Sequence, residues 1–261
     1  MSRRTPAPFG RRTVEVTAVE EVGAYAVISA RDDHGPGDPR PGQFYMLSTA
    51  ERWGGGADER PYLPRAFSFA RVRPDHTLDF LLEAIGPGTE RLASLEPGDG
   101  LQLVGPLGIG FDVDAPRPLL VGGGIGVAPL LTLQDELGPE TPVLLGFRSG
   151  AHAAAARLFA GAVVATDDGS VGRQAFVTEL LRERLDADPG VSVFACGPPP
   201  MLEAVRALCA EREVRAQLAL ESGMACGYGA CFGCVVATRD GYVRLCVDGP
   251  VLDGTQLETA H

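Results

Sequence analysis

Four cysteines near the C-terminus, Cys226, Cys231, Cys234 and Cys246, follow the spacing C-x4-C-x2-C-x11-C, the first three within ESGMACGYGACFGCVV. Thiols at that spacing can ligate a [2Fe-2S] cluster. Four sulfurs must converge on two irons, and the loop that carries three of them has to wrap closely enough for its N–H groups to face the sulfides. Gly223, Gly227, Gly229 and Gly233 permit such a path, because glycine reaches positive φ and lets the backbone approach a ligand. The chemistry implied is the transfer of electrons one at a time. Zinc, a disulfide pair or ordinary buried thiols are the alternatives. Structural zinc usually takes two C-x2-C pairs or pairs completed by histidine, whereas one pair here is C-x4-C and the only histidine nearby is the terminal His261. Cys196 and Cys209 lie too far away in sequence to complete a second motif, and Cys209, within the amphipathic stretch EAVRALCAERE, reads as a packed core thiol.

A second set of residues is suited to phosphates. The turn VGGGIGVAP, Val121 to Pro129, follows an apolar strand and opens a helix, where free N–H groups can meet a nucleotide. It departs from the G-x-G-x-x-G fingerprint, since Val127 takes the last glycine position when Gly122 starts it. Taken alone, Gly122, Gly123, Gly124 and Gly126 fit a tight packing turn equally well. A partner turn, CGPPPMLEAV, again ends a strand and starts a helix at Cys196, Gly197 and Pro198. Two such turns at the carboxyl edge of one sheet frame the crevice where open α/β folds bind ligands. Earlier in the chain, RAFS (Arg65 to Ser68) is expected to place a guanidinium and a hydroxyl on one face of a strand, for a phosphate and a ring heteroatom. LLEAIGPGTERL is expected to end a strand and start a short helix capped by Thr89, with free N–H groups for a pyrophosphate. Singly, Arg65 reads as a surface ion-pair partner and Thr89 as a plain N-cap.

Three zones must position these groups. Residues 10–112 carry alternating segments (TVEVTAV, YAVISA, QFYMLST, AFSFARV, TLDFLLEAI, GLQLVGPL) between Gly, Pro and Asp clusters, which predicts an antiparallel β-barrel or sandwich. The stretch 50–64, AERWGGGADERPYLP, interrupts it as a surface loop. Residues 113–216 alternate apolar runs with helical stretches, including VAPLLTLQDEL, AHAAAARLF, AFVTELLRERL and PPMLEAVRALCAERE, so a doubly wound parallel sheet is expected. Residues 217–261 form the cysteine module. The net charge of -11 and the lack of a basic stripe exclude a nucleic-acid partner, and Arg3, Arg4, Arg11 and Arg12 read as a solvated tail. That tail has no apolar core of a secretory signal. The uncharged apolar stretch Pro118 to Leu133 is short for a membrane span and broken by glycine. A cytoplasmic protein is expected, where reduced thiols suit a cluster.

In this order, RAFS, GPGT, GPLGIGF, VGGGIGVAPL, GFRS, TDDGS, CGPPPM, MACGYGACFGC and DGPV, the motifs run over almost the whole chain. The chain resembles the iron–sulfur electron-transfer subunits of NAD-dependent dihydroorotate dehydrogenase, within the ferredoxin–NADP reductase-like superfamily. The resemblance implies a barrel that binds FAD, an α/β domain that binds NAD and a C-terminal [2Fe-2S] module. It implies that Arg65, Ala66, Phe67 and Ser68 line the flavin and its diphosphate, with Leu81, Leu82, Glu83, Gly88 and Thr89 completing that site. Gly122, Gly123, Gly124, Gly126, Cys196, Gly197 and Pro198 would frame the nicotinamide, and Cys226, Cys231, Cys234 and Cys246 would hold the cluster. Ala66 stands where proline is common in the family and Ile109 where a polar residue is usual, departures that remove no cofactor ligand.

A flavin standing between cluster and nicotinamide follows from cofactor chemistry, since only the flavin handles both single electrons and hydride. The three zones leave no room for a (β/α)8 barrel of about 250 residues, so dihydroorotate oxidation falls to a partner. The resemblance implies an FMN-containing catalytic subunit, in a heterotetramer of two catalytic and two electron-transfer subunits serving pyrimidine (UMP) biosynthesis. A sister subunit of an NADH-dependent ferredoxin:NADP oxidoreductase or of a cytosolic hydrogenase is the alternative in the same architecture. NAD against NADP stays open, because Arg148 in GFRS could meet a 2′-phosphate, a ribose or an acidic neighbour.

Overall fold

The computed structural model describes residues 2–8, 10–54 and 62–260, so residues 55–61 of the loop expected at 50–64, and His261, lie outside the described residues. The first zone contains β1 (Arg12–Val22), β2 (Tyr25–Arg31), β3 (Phe44–Thr49), β4 (Arg65–Ser68), β5 (Arg71–Val72), β6 (Thr77–Leu82), helix α1 (Pro87–Ala93) and β7 (Gly100–Leu107). Its strands form one antiparallel sheet in the order β4-β3-β7-β1-β2-β6-β5. The edge strands β4 and β5 are joined through only Phe69 and Ala70, both buried, so chain continuity draws the two edges together and curls the sheet into a barrel. Tyr45 packs edge-on against Phe69 and Phe80, with ring centroids 6.1 and 5.6 Å away, in a core closed by Ile28, Leu47, Leu82 and Leu103.

The N-terminal arginines correct one expectation. Arg3 donates from Nε to the Gly110 carbonyl at 2.8 Å and from Nη2 to that of Val251 at 3.3 Å. Arg12 forks onto Asp32 at 2.6–3.1 Å and also reaches the Gly105 carbonyl. Only Arg4 and Arg11 are exposed. The basic cluster reads as solvated because its acceptors are backbone carbonyls and a carboxylate distant in sequence.

The second zone adds β8 (Pro118–Gly123), α2 (Ala128–Leu137), β9 (Val143–Phe147), α3 (Gly150–Ala153), β10 (Val163–Thr166), β11 (Arg173–Gln174), α4 (Val177–Ala187), β12 (Ser192–Cys196), α5 (Pro199–Glu211) and β13 (Ala216–Ala219). The last zone holds the hairpin β14 (Val235–Thr238) and β15 (Gly241–Arg244), a single turn α6 (Leu245–Asp248) and β16 (Val251–Asp253). The second sheet runs β11-β10-β9-β8-β12-β13-β16, parallel except for β16, which pairs antiparallel with β13. The boundary drawn at 216/217 therefore falls inside β13, and the cysteine segment returns a strand to the nucleotide sheet.

Leu119 and Val121 of β8 face α4 and α5, while Leu120 faces α2, so helices cover both faces as the alternating pattern requires. One expected helix is shorter: AHAAAARLF gives the single turn α3 and then a 3-10 turn over Ala154–Leu158. The Ala151 carbonyl accepts from the barrel's Ala24 N–H at 3.0 Å, and Gln134 exchanges two hydrogen bonds with the Ala160 backbone, so tertiary contacts override alanine's helix preference.

Arg71–Asp135, Arg40–Glu136 and Arg157–Glu20 cross the seam between barrel and nucleotide sheet at 2.8, 3.3 and 3.0 Å. Exposed pairs of this kind contribute at most about 1 kcal/mol each. The seam is held mainly by its apolar filling, in which Val22, Tyr25 and Leu81 of the barrel meet Val127, Leu130 and Phe194.

Candidate functional site

The chain leaves β8 toward β9 on one side and β12 toward β13 on the other, so the carboxyl ends of β8 and β12 form the switch point of the second sheet. Cys196 stands opposite Gly122 across that pair. The two glycine turns that follow touch backbone to backbone. A Cβ on Gly126 would lie 2.5 Å from the Cα and N of Gly197 and 2.7 Å from the carbonyl carbon of Cys196, so only glycine fits there. Gly122 is instead a packing residue, enclosed by Leu145, Leu130 and Val127.

Two cavities open at this point and share Ile125 in their walls. The larger, about 560 Å3, is lined by Gly123, Gly124 and Pro198 from the turns, by Phe147, Arg148 and Asp167 from the ends of β9 and β10, and by Tyr25 and Glu83 from the barrel. The smaller, about 230 Å3, lies between the barrel and the second sheet, lined by Ala66, Phe67, Ser68, Leu81, Gly126 and Cys196 among others. The expected residues thus divide. Ala66, Phe67, Ser68 and Leu81 meet at the smaller cavity, whereas Leu82 packs inside the barrel and Glu83 faces the larger cavity.

Arg65 and Ser68 do not share a face. Residues three apart on a strand point to opposite sides, and Arg65 instead lies against Gly88 and stacks over Trp53, 5.9 Å from the ring centroid. Thr89 is not the cap of α1 either. Gly86 holds that position with Pro87 at the first helical residue, and the Thr89 hydroxyl accepts the N–H groups of Ile85 and Gly86 at 2.9 and 3.1 Å. Pro87, with φ preset for a helix start, moves the boundary three residues earlier.

Several groups that motif reading leaves out also meet here. His152 is buried, with Nε2 3.1 Å from the Glu83 carboxylate and 2.8 Å from the Arg148 Nε, and with Nδ1 2.9 Å from the Ser149 hydroxyl. Arg148 donates to Glu83 at 2.7 Å, so its acidic neighbour comes from the other domain. The Tyr25 hydroxyl is buried with no hydrogen-bond partner among the described residues, and burial, reinforced by Glu83, pushes its pKa up. Glu221 and Met224 line the smaller cavity. Glu221 is exposed, yet the surrounding protein desolvates its carboxyl and holds its pKa above the ordinary glutamate value. Burial does the same to the thiols of Cys196 and Cys209, and raises Cys209 to about 12, which suits the core role expected of it.

The four C-terminal cysteines lie close enough to act on one another: the Cys231 thiol favours the Cys226 thiolate, while Cys234 and, more weakly, Cys226 disfavour that of Cys246. Backbone N–H groups face them: Gly233 donates to the Cys231 Sγ at 3.4 Å and Cys246 to the Cys234 Sγ at 3.5 Å. Burial opposes the Cys226 thiolate, but the N–H groups of Tyr228, Cys231 and Ala230, with the Cys231 thiol, outweigh it and bring the pKa down to about 6. Among the described residues no three His, Cys, Asp or Glu side chains surround one point as a single metal ion requires. Gly227, at φ +81°, lets the loop press against the barrel, since a Cβ there would lie 2.5 Å from Met46. Met46 pairs with Ala66 across β3 and β4, so the cysteine loop and the smaller cavity share a wall.

Comparison with known proteins agrees with this arrangement. Residues 221–258 match the family described as the iron-sulfur cluster binding domain of dihydroorotate dehydrogenase B. The electron transfer subunit of dihydroorotate dehydrogenase B (NAD(+)) of Caldanaerobacter subterraneus subsp. tengcongensis is 36% identical over 223 residues, which cover 82% of this chain and 85% of that protein. Its counterpart in Geobacillus thermodenitrificans is 39% identical over 230 residues, 81% of this chain and 84% of that one. Among solved structures, an NADH-dependent reduced ferredoxin-NADP oxidoreductase superposes with a TM-score of 0.80 at 23% identity, over 97% of this chain and 92% of that chain. The ferredoxin reductase of carbazole 1,9a-dioxygenase gives 0.66 at 23% identity, over 78% and 66%. The structural likenesses fix the ferredoxin-reductase-like fold, and identity above one third over four-fifths of its length fixes the rest: the chain belongs to the family of electron transfer subunits of dihydroorotate dehydrogenase B (NAD(+)).

Proposed function

We propose that the chain passes electrons from an FMN-bearing, dihydroorotate-oxidising catalytic subunit to NAD+, in the cytoplasm, as a step of pyrimidine (UMP) biosynthesis. The observation that carries this reading is contiguity: the cysteine loop backs onto the smaller cavity through Met46 and Ala66, and that cavity meets the larger one at Ile125. Bound there, a [2Fe-2S] cluster, FAD and NAD+ would supply one-electron, mixed and hydride chemistry in that spatial order.

The residues fit these groups. A two-iron cluster takes four thiolates, and Cys226, Cys231, Cys234 and Cys246 act on one another while backbone N–H groups face the sulfurs of Cys231 and Cys234. The smaller cavity is walled by Phe67, Leu81 and Phe44, with the Ser68 hydroxyl and Glu221 carboxyl as polar groups, a surface suited to a flat ring with a polar edge. Arg65, at the start of β4, lies against the first turn of α1 at Gly88 and Thr89, on the side suited to the diphosphate of FAD. Gly123, Gly124 and Pro198 present the NAD+ site, while Gly122 and Leu82 support these walls from behind. Among the described residues no helix is long and apolar enough to cross a membrane. The relatives' description as a subunit supports a catalytic partner, and we infer an assembly of two catalytic and two electron-transfer subunits.

Mixing the chain with the FMN-bearing subunit tests the reading. The chain alone is expected to oxidise NADH with artificial acceptors and to leave dihydroorotate untouched, and the pair to form NADH from dihydroorotate and NAD+. A complex that passes no electrons, or reduction of ferredoxin in place of complex formation, replaces this reading by that of a sister electron-transfer subunit.

A further inference from the structure

Besides the Tyr25 phenol, the larger cavity carries Glu83, Arg148, His152 and Asp167 in its wall, and their arrangement decides what it can bind. Arg148 follows β9, the strand end at which nucleotide-binding sheets commonly read the adenosine ribose. A free arginine at such a place would anchor a 2′-phosphate. Here its Nη2 donates to Glu83 at 2.7 Å and its Nε lies 2.8 Å from His152 Nε2, so the guanidinium is held between the barrel's Glu83 and His152 of α3. Asp167 follows the next strand, β10, and its N–H donates to the Phe147 carbonyl at 2.9 Å, which fixes it beside the end of β9. Its carboxylate is exposed at the cavity wall and has no hydrogen-bond partner among the described residues. The pair Arg148–Glu83 cancels, and Asp167 leaves the wall negative.

We propose that Asp167 and Glu83 make this cavity selective for a dinucleotide without a 2′-phosphate. Asp167 accepts a hydrogen bond from the ribose 2′-hydroxyl and repels a phosphate placed there, while Glu83 withholds Arg148 from such a phosphate. The inference rests on the reading of the chain as an NAD-linked electron transfer subunit and adds the residues that choose between the two nicotinamide dinucleotides. A phosphate monoester carries close to two negative charges at neutral pH. Its repulsion by a carboxylate a few ångströms away, with the charge-assisted hydrogen bond lost, is worth on the order of a hundredfold in favour of the unphosphorylated nucleotide.

The test uses the holoprotein and follows NADH and NADPH oxidation with an artificial acceptor, alongside inhibition by 5′-ADP and 2′,5′-ADP. The unaltered protein is expected to favour NADH by on the order of a hundredfold in kcat/KM and to bind 5′-ADP the more tightly. Asp167→Ser, at an exposed position, is expected to raise NADPH turnover and 2′,5′-ADP binding by about tenfold while NADH use falls. Adding Glu83→Gln frees Arg148 and raises the NADPH figure further, and Arg148→Ala removes that second gain. Equal use of both nucleotides by the unaltered protein, or an equal change for both in Asp167→Ser, overturns the proposal and leaves the family reading standing. A holoprotein with its flavin and iron in place that binds neither nucleotide overturns the family reading, and this inference with it.

Discussion

At the scale of single residues, the cysteines differ in what else they do. Cys234 and Cys246 are each 2% exposed and sit in an apolar core with Leu245 and Met46, whereas Cys231 is exposed. A serine at Cys234 or Cys246 therefore disturbs packing as well as ligation, and a serine at Cys231 tests ligation alone. In Cys231→Ser, iron is expected to fall to trace level and the visible absorption of the cluster to vanish, while FAD stays bound because β4 is untouched. Iron and flavin assays on the folded variant check this, and loss of both cofactors together would show that the two sites are not independent. These cysteines were legible because their spacing is local. Tyr25 and His152 were not, since they come from β2 and α3 and meet Glu83, at the end of β6, only when barrel and sheet dock.

At the scale of elements, the strand periodicities of both sheets and the helices α2, α4 and α5 could be read in advance, because each buries a continuous apolar face. The failures are places where distant groups overrule local preference. Alanine-rich α3 is cut to one turn by the barrel's claim on the Ala151 carbonyl, and a three-residue offset sets Arg65 and Ser68 on opposite faces of β4. Of the glycine turn only its location was legible, because the contact that forbids a side chain at Gly126 comes from residues about 70 positions later in the chain. Two substitutions separate packing from conformation there. Gly126→Ala drives a methyl group into the Gly197 backbone and is expected to cost about 1–3 kcal/mol, and to abolish the spectral response of the flavin to NADH by parting the turns. Gly124→Ala, at φ +54° with open space around it, is expected to cost about 1–2 kcal/mol from the left-handed backbone alone and to keep that response. Urea denaturation and NADH titration distinguish them.

At the scale of the whole molecule, the two cavities and the cysteine loop form a row that ends at the surface. Cys231 is exposed at that end, and Tyr228 and Phe232 beside it are 64% and 62% exposed, so both large side chains of the loop face outward. The Arg244 guanidinium lies over the Phe232 ring, 5.3 Å from its centroid, which holds the ring in place before any partner arrives. Small residues elsewhere in the loop allow another protein to approach the thiols closely, and a pre-positioned aromatic is the kind of side chain that anchors an interface. Phe232→Ala keeps a Cβ at the same positive φ of 59°, so it removes the ring without relieving the backbone. It is expected to weaken binding of the catalytic subunit by about 2 kcal/mol, or roughly thirtyfold in Kd, with NADH oxidation by small acceptors unchanged because the larger cavity lies at the other end of the row. Titration calorimetry of the two subunits measures the first, a dye-reduction assay the second. An unchanged Kd would mean that the catalytic subunit docks on another face, and a lost dye reaction would mean that the loop and the cavities are coupled more tightly than their shared wall of Met46 and Ala66 implies.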